Sequence, residues 1–326
     1  MPDLTIAVTG ATGFVGRCVV RELLSRGWHV HALVRDHAKA AATLPRNDRL
    51  RLVAGDVATP AALAALVAAT SACVNTIGII RETGSATFQR AHVDATRGLI
   101  DACRDAGTRR FVHISALGVR DHAPTRYQQT KFTAEQLLRR SGLDWTILRP
   151  SLIHGPEGEF IRLAKGWASG GKPPFFFLPY FVGGGLASDV PLAPLKRDAA
   201  SVQPVAVEDV ARAVAAAIER PDAIGEVYNL VGPETLTWPD VLTAIRDAVP
   251  GSRPDLEPRP IQSEHAVIAA IAAKAVGLGS LLPFDAGMAT MGAEDSTAEA
   301  DKARIDLGLA PAPFRAALAG YAGRIA

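Results

Sequence analysis

Along the first 150 residues, short runs of Val, Ile, Leu and Ala alternate with Ala/Leu-rich stretches whose apolar positions recur every three to four residues. Unbroken apolar runs bounded by turns suit strands buried on both faces, and the helical period between them suits the cover. The pattern predicts strands at 5–9, 29–34, 50–54, 72–76, 110–115 and 144–149, with helices at 16–25, 60–69, 87–105 and 126–141. Gly27, Gly107 and Gly142 each fall between a helix and the next strand, where a C-terminal cap belongs. Repetition of the strand–helix unit defines the fold class as α/β, a doubly wound parallel sheet.

After Arg149-Pro150 the rhythm breaks. Residues 155–203 are rich in Gly, Pro and aromatic side chains and include Pro173-Pro174-Phe175-Phe176-Phe177-Leu178-Pro179-Tyr180-Phe181, which reads as loop. A helix is expected from 204 to 218, a short strand at 226–231, a helix at 238–249 with Trp238 packing at its start, and a helical end at 313–325. The chain is expected to divide into a domain of residues 1–154 and a smaller α/β lobe of 155–326 for substrate or partner, with 204–231 able to return to the core sheet. Residues 266–284 are the most apolar stretch, interrupted by Lys274, Gly277, Gly279 and Pro283. Too short and broken to span a bilayer, they are expected to form a helix buried in the lobe. The aromatic run has two readings: lid or core packing, or an apolar mouth for a long hydrophobic substrate or a membrane contact.

Composition narrows the class. With 48% hydrophobic and 21% charged residues the chain has the makings of a globular core. Its net charge of +2 comes from 35 basic and 33 acidic residues with no Lys/Arg block, so nucleic acid is not an expected partner. Cys18, Cys73 and Cys103 lack any paired spacing and read as buried thiols in a reducing compartment. A strand begins within four residues of the N-terminus, with no signal segment before it. The expected location is cytoplasmic, with a peripheral contact to the inner membrane left open. No His/Cys/Asp/Glu group has metal-ligand spacing, and His29, His31, His92 and His113 are taken as core or edge residues.

The motif that changes the picture most is Thr9-Gly10-Ala11-Thr12-Gly13-Phe14-Val15-Gly16, set between the first strand and the first helix. Gly10 lets the chain turn off the strand, Gly13 clears the backbone's approach to phosphate, and Gly16 lets the helix pack on the sheet. The helix N-terminus behind them favours an anion. A dinucleotide held by Gly10, Thr12, Gly13, Phe14, Val15 and Gly16 follows, in a Rossmann domain. At the tip of the second strand stands Arg35, which suits the 2′-phosphate of NADP, followed by Asp36, which could reach a 2′-hydroxyl. NADP(H) is favoured over NAD(H).

Tyr127-Gln128-Gln129-Thr130-Lys131 supplies the candidate chemistry. Four residues apart on a helix, the two side chains share a face, and an ammonium beside the phenol would favour phenolate. Such a Tyr exchanges a proton with an alcohol or carbonyl; the bland alternative is an exposed surface pair. Ser115, at the C-terminal end of the 110–115 strand, could hold a substrate oxygen beside Tyr127 or merely satisfy the strand-to-loop backbone.

Together with Asp56 in Gly55-Asp56-Val57, Gly78 after the fourth strand and Leu148-Arg149-Pro150-Ser151, these motifs resemble the extended and atypical short-chain dehydrogenase/reductase superfamily. Gly78-Ile79-Ile80-Arg81-Glu82, His113-Ile114-Ser115-Ala116-Leu117-Gly118 and Pro204-Val205-x-Val207-x-Asp209-Val210-Ala211 are similar to the bacterial relatives of the complex I accessory subunit. The resemblance implies that Asp56 and Val57 border the adenine and that Gly78 lets the chain pass the cofactor. It implies that Lys131 holds the nicotinamide ribose, with Pro150 and Ser151 near the nicotinamide. Extended members place the serine farther ahead of the tyrosine than it stands here. Two functions follow: an NAD(P)-dependent oxidoreductase using Tyr127, Lys131 and Ser115 on a carbonyl, alcohol or quinone-like substrate, or a nucleotide-holding accessory or assembly factor of a respiratory complex.

Overall fold

The computed structural model describes residues 4–183, 198–275, 277 and 282–325. Two compact units make up the chain, the first from Met1–Pro150, Val207–Leu230 and Glu299–Pro311, the second from Ser151–Ala206, Val231–Ala298 and Ala312–Ala326.

In the first unit, β1 (Thr5–Thr9), α1 (Phe14–Ser25), β2 (His29–Val34), α2 (His37–Thr43), β3 (Leu50–Ala54), α3 (Pro60–Val67) and β4 (Ala72–Asn75) follow in turn. Then come a π-helical turn (Gln89–Asp94), α4 (Ala95–Ala106), β5 (Arg110–Ile114), α5 (Arg126–Arg139) and β6 (Asp144–Pro150). The strand Glu226–Leu230 pairs with β6 and completes a seven-stranded parallel sheet in the order Glu226–Leu230, β6, β5, β4, β1, β2, β3. Ile6, Ala7 and Val8 are fully buried on alternate faces of β1, as a strand covered on both sides requires. Leu66, Leu99, Cys103, Phe111, Leu138 and Ile147 form the core of one layer. The strand order reverses between β1 and β4, and ligands of such sheets sit at the C-terminal ends of the strands flanking that reversal.

Five local features differ from the sequence pattern; one is the helix expected at 204–218, which begins at Val207 behind a short strand, Val205–Ala206. Helix α1 starts at Phe14 rather than at 16, with Gly13 as its cap residue. The short α2 is new; the Asp36 carboxylate accepts from the Lys39 N–H at 3.0 Å and starts it. The helix expected at 87–105 is a π-helical turn followed by α4. Residues 299–311, whose helix Asp301–Leu307 was not foreseen, belong with the sheet.

The second unit has its own core of Ile161, Trp167, Val241, Ile245, Phe314 and Leu318, drawn from helices Glu159–Ala168, Trp238–Ala248 and Phe314–Tyr321. Part of the presumed aromatic loop is a strand, Leu178–Val182, paired in parallel with Pro258–Gln262. The stretch expected as a buried helix forms Ser263–Ala275, but Ile268 and Ile271 are 65% and 59% exposed. Its remainder lies largely outside the described residues. No helix among the described residues is long and apolar enough to cross a membrane.

Candidate active site

Gly10 takes φ +70°, and a Cβ there would stand 2.7 Å from Thr76 Oγ1. A Cβ on Gly16 would meet the Gly10 carbonyl oxygen at 2.1 Å, so the turn closes only with hydrogen at both positions. The Gly13 N–H donates to Gly10 O at 2.8 Å, and Arg17 N–H is the first to close a helical bond, to Gly13 O. The amides of Phe14, Val15 and Gly16 precede that bond and stand at the positive end of α1, beside half-buried Thr12.

Across the reversal, the chain leaving β4 is pinned by its neighbours. Thr76 N–H and Oγ1 both donate to Thr9 O, and Ile77 N–H donates to Asn75 Oδ1. A Cβ on Gly78 would stand 3.3 Å from Lys131 Nζ, a close contact that the ammonium would have to yield by a few tenths of an ångström to admit. Below this exit lies a buried polar cluster. Thr9 Oγ1 donates to Asn75 Oδ1, and Asn75 Nδ2 reaches Thr96 Oγ1 at 3.1 Å and His113 Nδ1 at 3.3 Å.

Thr125 caps α5 by accepting from Gln128 N–H, which sets Tyr127 and Lys131 in its first two turns. The Lys131 ammonium is buried and donates to the Ile114 carbonyl at 2.9 Å. Burial pushes its pKa down to about 8, against a smaller upward pull from the Glu135 carboxylate. Glu135 is itself fully buried and held by the Arg149 guanidinium at 2.5 and 2.8 Å. The Tyr127 ring meets His92 and Phe88 edge-on, at 5.4 and 5.8 Å between centroids. Its phenol is pushed up to about 12 by burial, the opposite direction to the depression that the Tyr–Lys spacing suggested. The ammonium is instead engaged with a backbone carbonyl.

Ser115 lies just past β5 with its N–H on Leu148 O, and its buried Oγ has no hydrogen-bond partner among the described residues. The same is true of His113 Nε2, two residues earlier on the same face of the strand. Pro150 ends β6, and its carbonyl accepts from Leu117 N–H at 2.9 Å. Ser151 follows directly, and its hydroxyl donates to the Ser296 carbonyl at 2.8 Å and lies 2.9 Å from Ser296 Oγ.

At the far end, Arg35 is 82% exposed and lies 3.9 Å from the Asp56 carboxylate, whose other oxygen accepts from Ala58 N–H. Val57 packs on the core beside them. Gly10, Thr12, Gly13, Phe14, Val15, Gly16, Arg35, Asp56, Val57, Gly78, Ser115, Tyr127, Lys131 and Pro150 thus share one unit. Sequence reasoning took His92 as a core or edge residue. A spacing of four, Phe88 to His92 to Thr96, is all the sequence offers for it, and its contacts to residues 79 and 130 are not in that pattern.

These residues fit a dinucleotide: free amides for a pyrophosphate, a glycine exit set close beside a buried ammonium, and a buried hydroxyl with no partner among the described residues. Fold and cradle together define a Rossmann-type nucleotide-binding protein. Residues 10–172, half of the chain, match the NAD(P)H-binding family model, and the chain belongs to that family. Its cofactor is a nicotinamide dinucleotide.

A ceramide reductase of Caulobacter vibrioides is 29% identical over 253 residues, covering 77% of this chain and 72% of that protein. The mitochondrial NADH dehydrogenase (ubiquinone) 1 alpha subcomplex subunit 9 of Dictyostelium discoideum is 24% identical over 247 residues. That match covers 75% of this chain and 64% of the subunit, so the chain spans just under two thirds of it. The crystal structure of gox2253 superposes with a TM-score of 0.70 at 26% identity, covering 98% of this chain and 96% of that one.

Proposed function

We propose that the chain is an NADP(H)-dependent reductase in which Tyr127 delivers a proton to the carbonyl oxygen of an apolar substrate. The observation that carries this reading is the conjunction of a buried Lys131 fixed beside Gly78 with a buried, unpaired Ser115 hydroxyl. The bound dinucleotide supplies a hydride equivalent. Lys131 keeps two N–H donors for a ribose hydroxyl, Ser115 donates to the substrate oxygen, and Tyr127 protonates that oxygen as negative charge develops on it. Solvent then restores the phenol. A phenol held at about 12 is protonated at neutral pH, which suits giving a proton to a reduced carbonyl better than taking one from an alcohol.

Asp36 is occupied in capping α2, while the Arg35 guanidinium is exposed at the strand tip; this supports the 2′-phosphate of NADP over the 2′-hydroxyl of NAD. The partly exposed Ile80 after the 78–79 turn and the ceramide reductase among the relatives support a long-chain substrate. A second reading, a nucleotide-holding accessory protein, draws on the same raised phenol, since nothing around Tyr127 lowers its pKa. It also draws on the accessory subunit among the relatives.

Following NADPH consumption with long-chain ketones and quinones separates the two. Turnover that Tyr127→Phe slows by about 10²- to 10⁴-fold, with NADPH affinity kept, supports the reductase. Tight nucleotide retention with no turnover in the unsubstituted protein supports the accessory reading and ends the first.

A further inference from the structure

His92 has no part in the chemistry described so far. It sits in the π-helical turn Gln89–Asp94, fully enclosed, with both ring nitrogens engaged. Ile79 N–H donates to Nε2 at 3.4 Å, and Nδ1 lies 2.9 Å from Thr130 Oγ1. A donor on the Nε2 side fixes the tautomer: the proton rides on Nδ1 and is given to Thr130. Burial, aided by the Lys131 ammonium, pushes the imidazole down to about 3, so it stays neutral and Nε2 stays an acceptor. One face of the ring stacks on Phe88 at 5.5 Å, and Tyr127 meets it edge-on. A single side chain thus touches the exit of β4, the Tyr127 ring and the residue before Lys131.

Among the described residues, Thr76 ties the exit of β4 to Thr9 at the end of β1, and Ile77 N–H folds back on Asn75. Beyond Ile77 comes Gly78, the residue whose backbone closes on Lys131 Nζ, and then Ile79. The hydrogen bond from Ile79 N–H to His92 is the tie on the far side of that glycine. A glycine held on both sides keeps one conformation; a glycine held on one side does not. The π-helical turn is the local device, since such turns re-aim a side chain out of helical register and recur at functional sites.

We propose that His92 is a positioning residue for the dinucleotide site: by accepting the Ile79 N–H it holds the turn at 78–79 against Lys131 and so shapes the wall on which the dinucleotide lies. This rests on the cradle being the nucleotide site, which the wild-type protein tests separately.

Three variants of the full chain divide the ring's contacts. His92→Gln places an amide oxygen near the Nε2 position and keeps the Ile79 bond. His92→Asn reaches only the Nδ1 position and keeps the Thr130 bond. His92→Phe keeps the stacking and neither bond. NADPH is titrated by its fluorescence enhancement, with thermal melting alongside. The expected result is that Gln binds NADPH within about threefold of wild type while Asn and Phe weaken it about tenfold, the size that one hydrogen bond carries. If Phe binds as well as wild type, or Gln no better than Asn, the ring acts by packing alone and the proposal is overturned. Should Asn and Phe fail to fold, Gln decides: near-native affinity supports the role, and a natively melting Gln variant that has lost NADPH overturns it. Wild-type protein that binds neither NADPH nor NADH overturns the cradle and this role with it.

Discussion

Lys131 carries its ammonium into the core against a backbone carbonyl, and burial brings its pKa from the ordinary 10.5 down to about 8. A base whose folded pKa is depressed binds fewer protons than it does unfolded, so stability rises with pH across that window and the cost is complete below it. Lys131→Met should therefore gain roughly 1–3 kcal/mol at pH 7, a gain that fades by pH 10, while dinucleotide affinity falls. Denaturant midpoints at the two pH values check this; no gain at pH 7 would refute it. At the other end of the cradle, Arg35→Ala should weaken NADPH by about tenfold or more and leave NADH within about twofold, because only the 2′-phosphate needs the guanidinium. Equal losses in paired titrations would sink the assignment to NADP(H).

At the scale of elements, the parts of the fold legible from sequence are those that local pattern alone determines. The runs at 5–9, 29–34 and 50–54 are strands over those same residues; in β1, burial on two faces leaves a continuous apolar signature, and even the edge strand β3, with Arg51 and Ala54 exposed, keeps enough of it to be read. The seven-residue α2 buries only Ala40 and offers no period to detect. Strand Leu178–Val182 contains a proline, and it exists because Pro258–Gln262, some 80 residues later, pairs with it. The site divides the same way. Glycine spacing and the Tyr127-x-x-x-Lys131 repeat are written in the chain, and both lie in the unit that holds the sheet. His92 gains its contacts from residues 79 and 130, and the Ser115 hydroxyl is notable only for lacking a partner once buried; neither fact has a linear signature. Gly16→Ala tests the element these glycines join. Its Cβ would force Gly10 O away from 2.1 Å, so α1 must shift, costing about 1–3 kcal/mol and most of the NADPH affinity. Thermal melting and titration read both.

Across the molecule, three buried histidines are held neutral. His92 is pushed down to about 3, His154 to about 4, and His113 well below its ordinary 6.5, each chiefly by burial. Unfolded chains protonate these rings first as pH falls below 6.5, so the stability they allow is full above that value and is lost progressively toward pH 4. His154 packs in the second unit between Phe314 and Tyr321, whereas the other two lie beneath the cradle, so acid should weaken both units. The denaturant midpoint should drop markedly between pH 7.5 and 5, and His154→Phe should lessen the drop. A midpoint independent of pH in this range would contradict the burial of all three.

The return of Glu226–Leu230 to the edge of β6 also sets a timetable for synthesis. When β6 leaves the ribosome, its outer partner follows roughly 75 residues later in the chain, a delay of about 4–15 s at ordinary elongation rates. For that interval six strands stand ready with the β6 edge open besides the β3 edge that the finished sheet keeps, and such an edge is a template on which nascent chains pair wrongly. Slower translation between residues 151 and 225 would lengthen the exposure, making soluble yield depend on codon choice in a stretch that supplies no strand to the seven-stranded sheet.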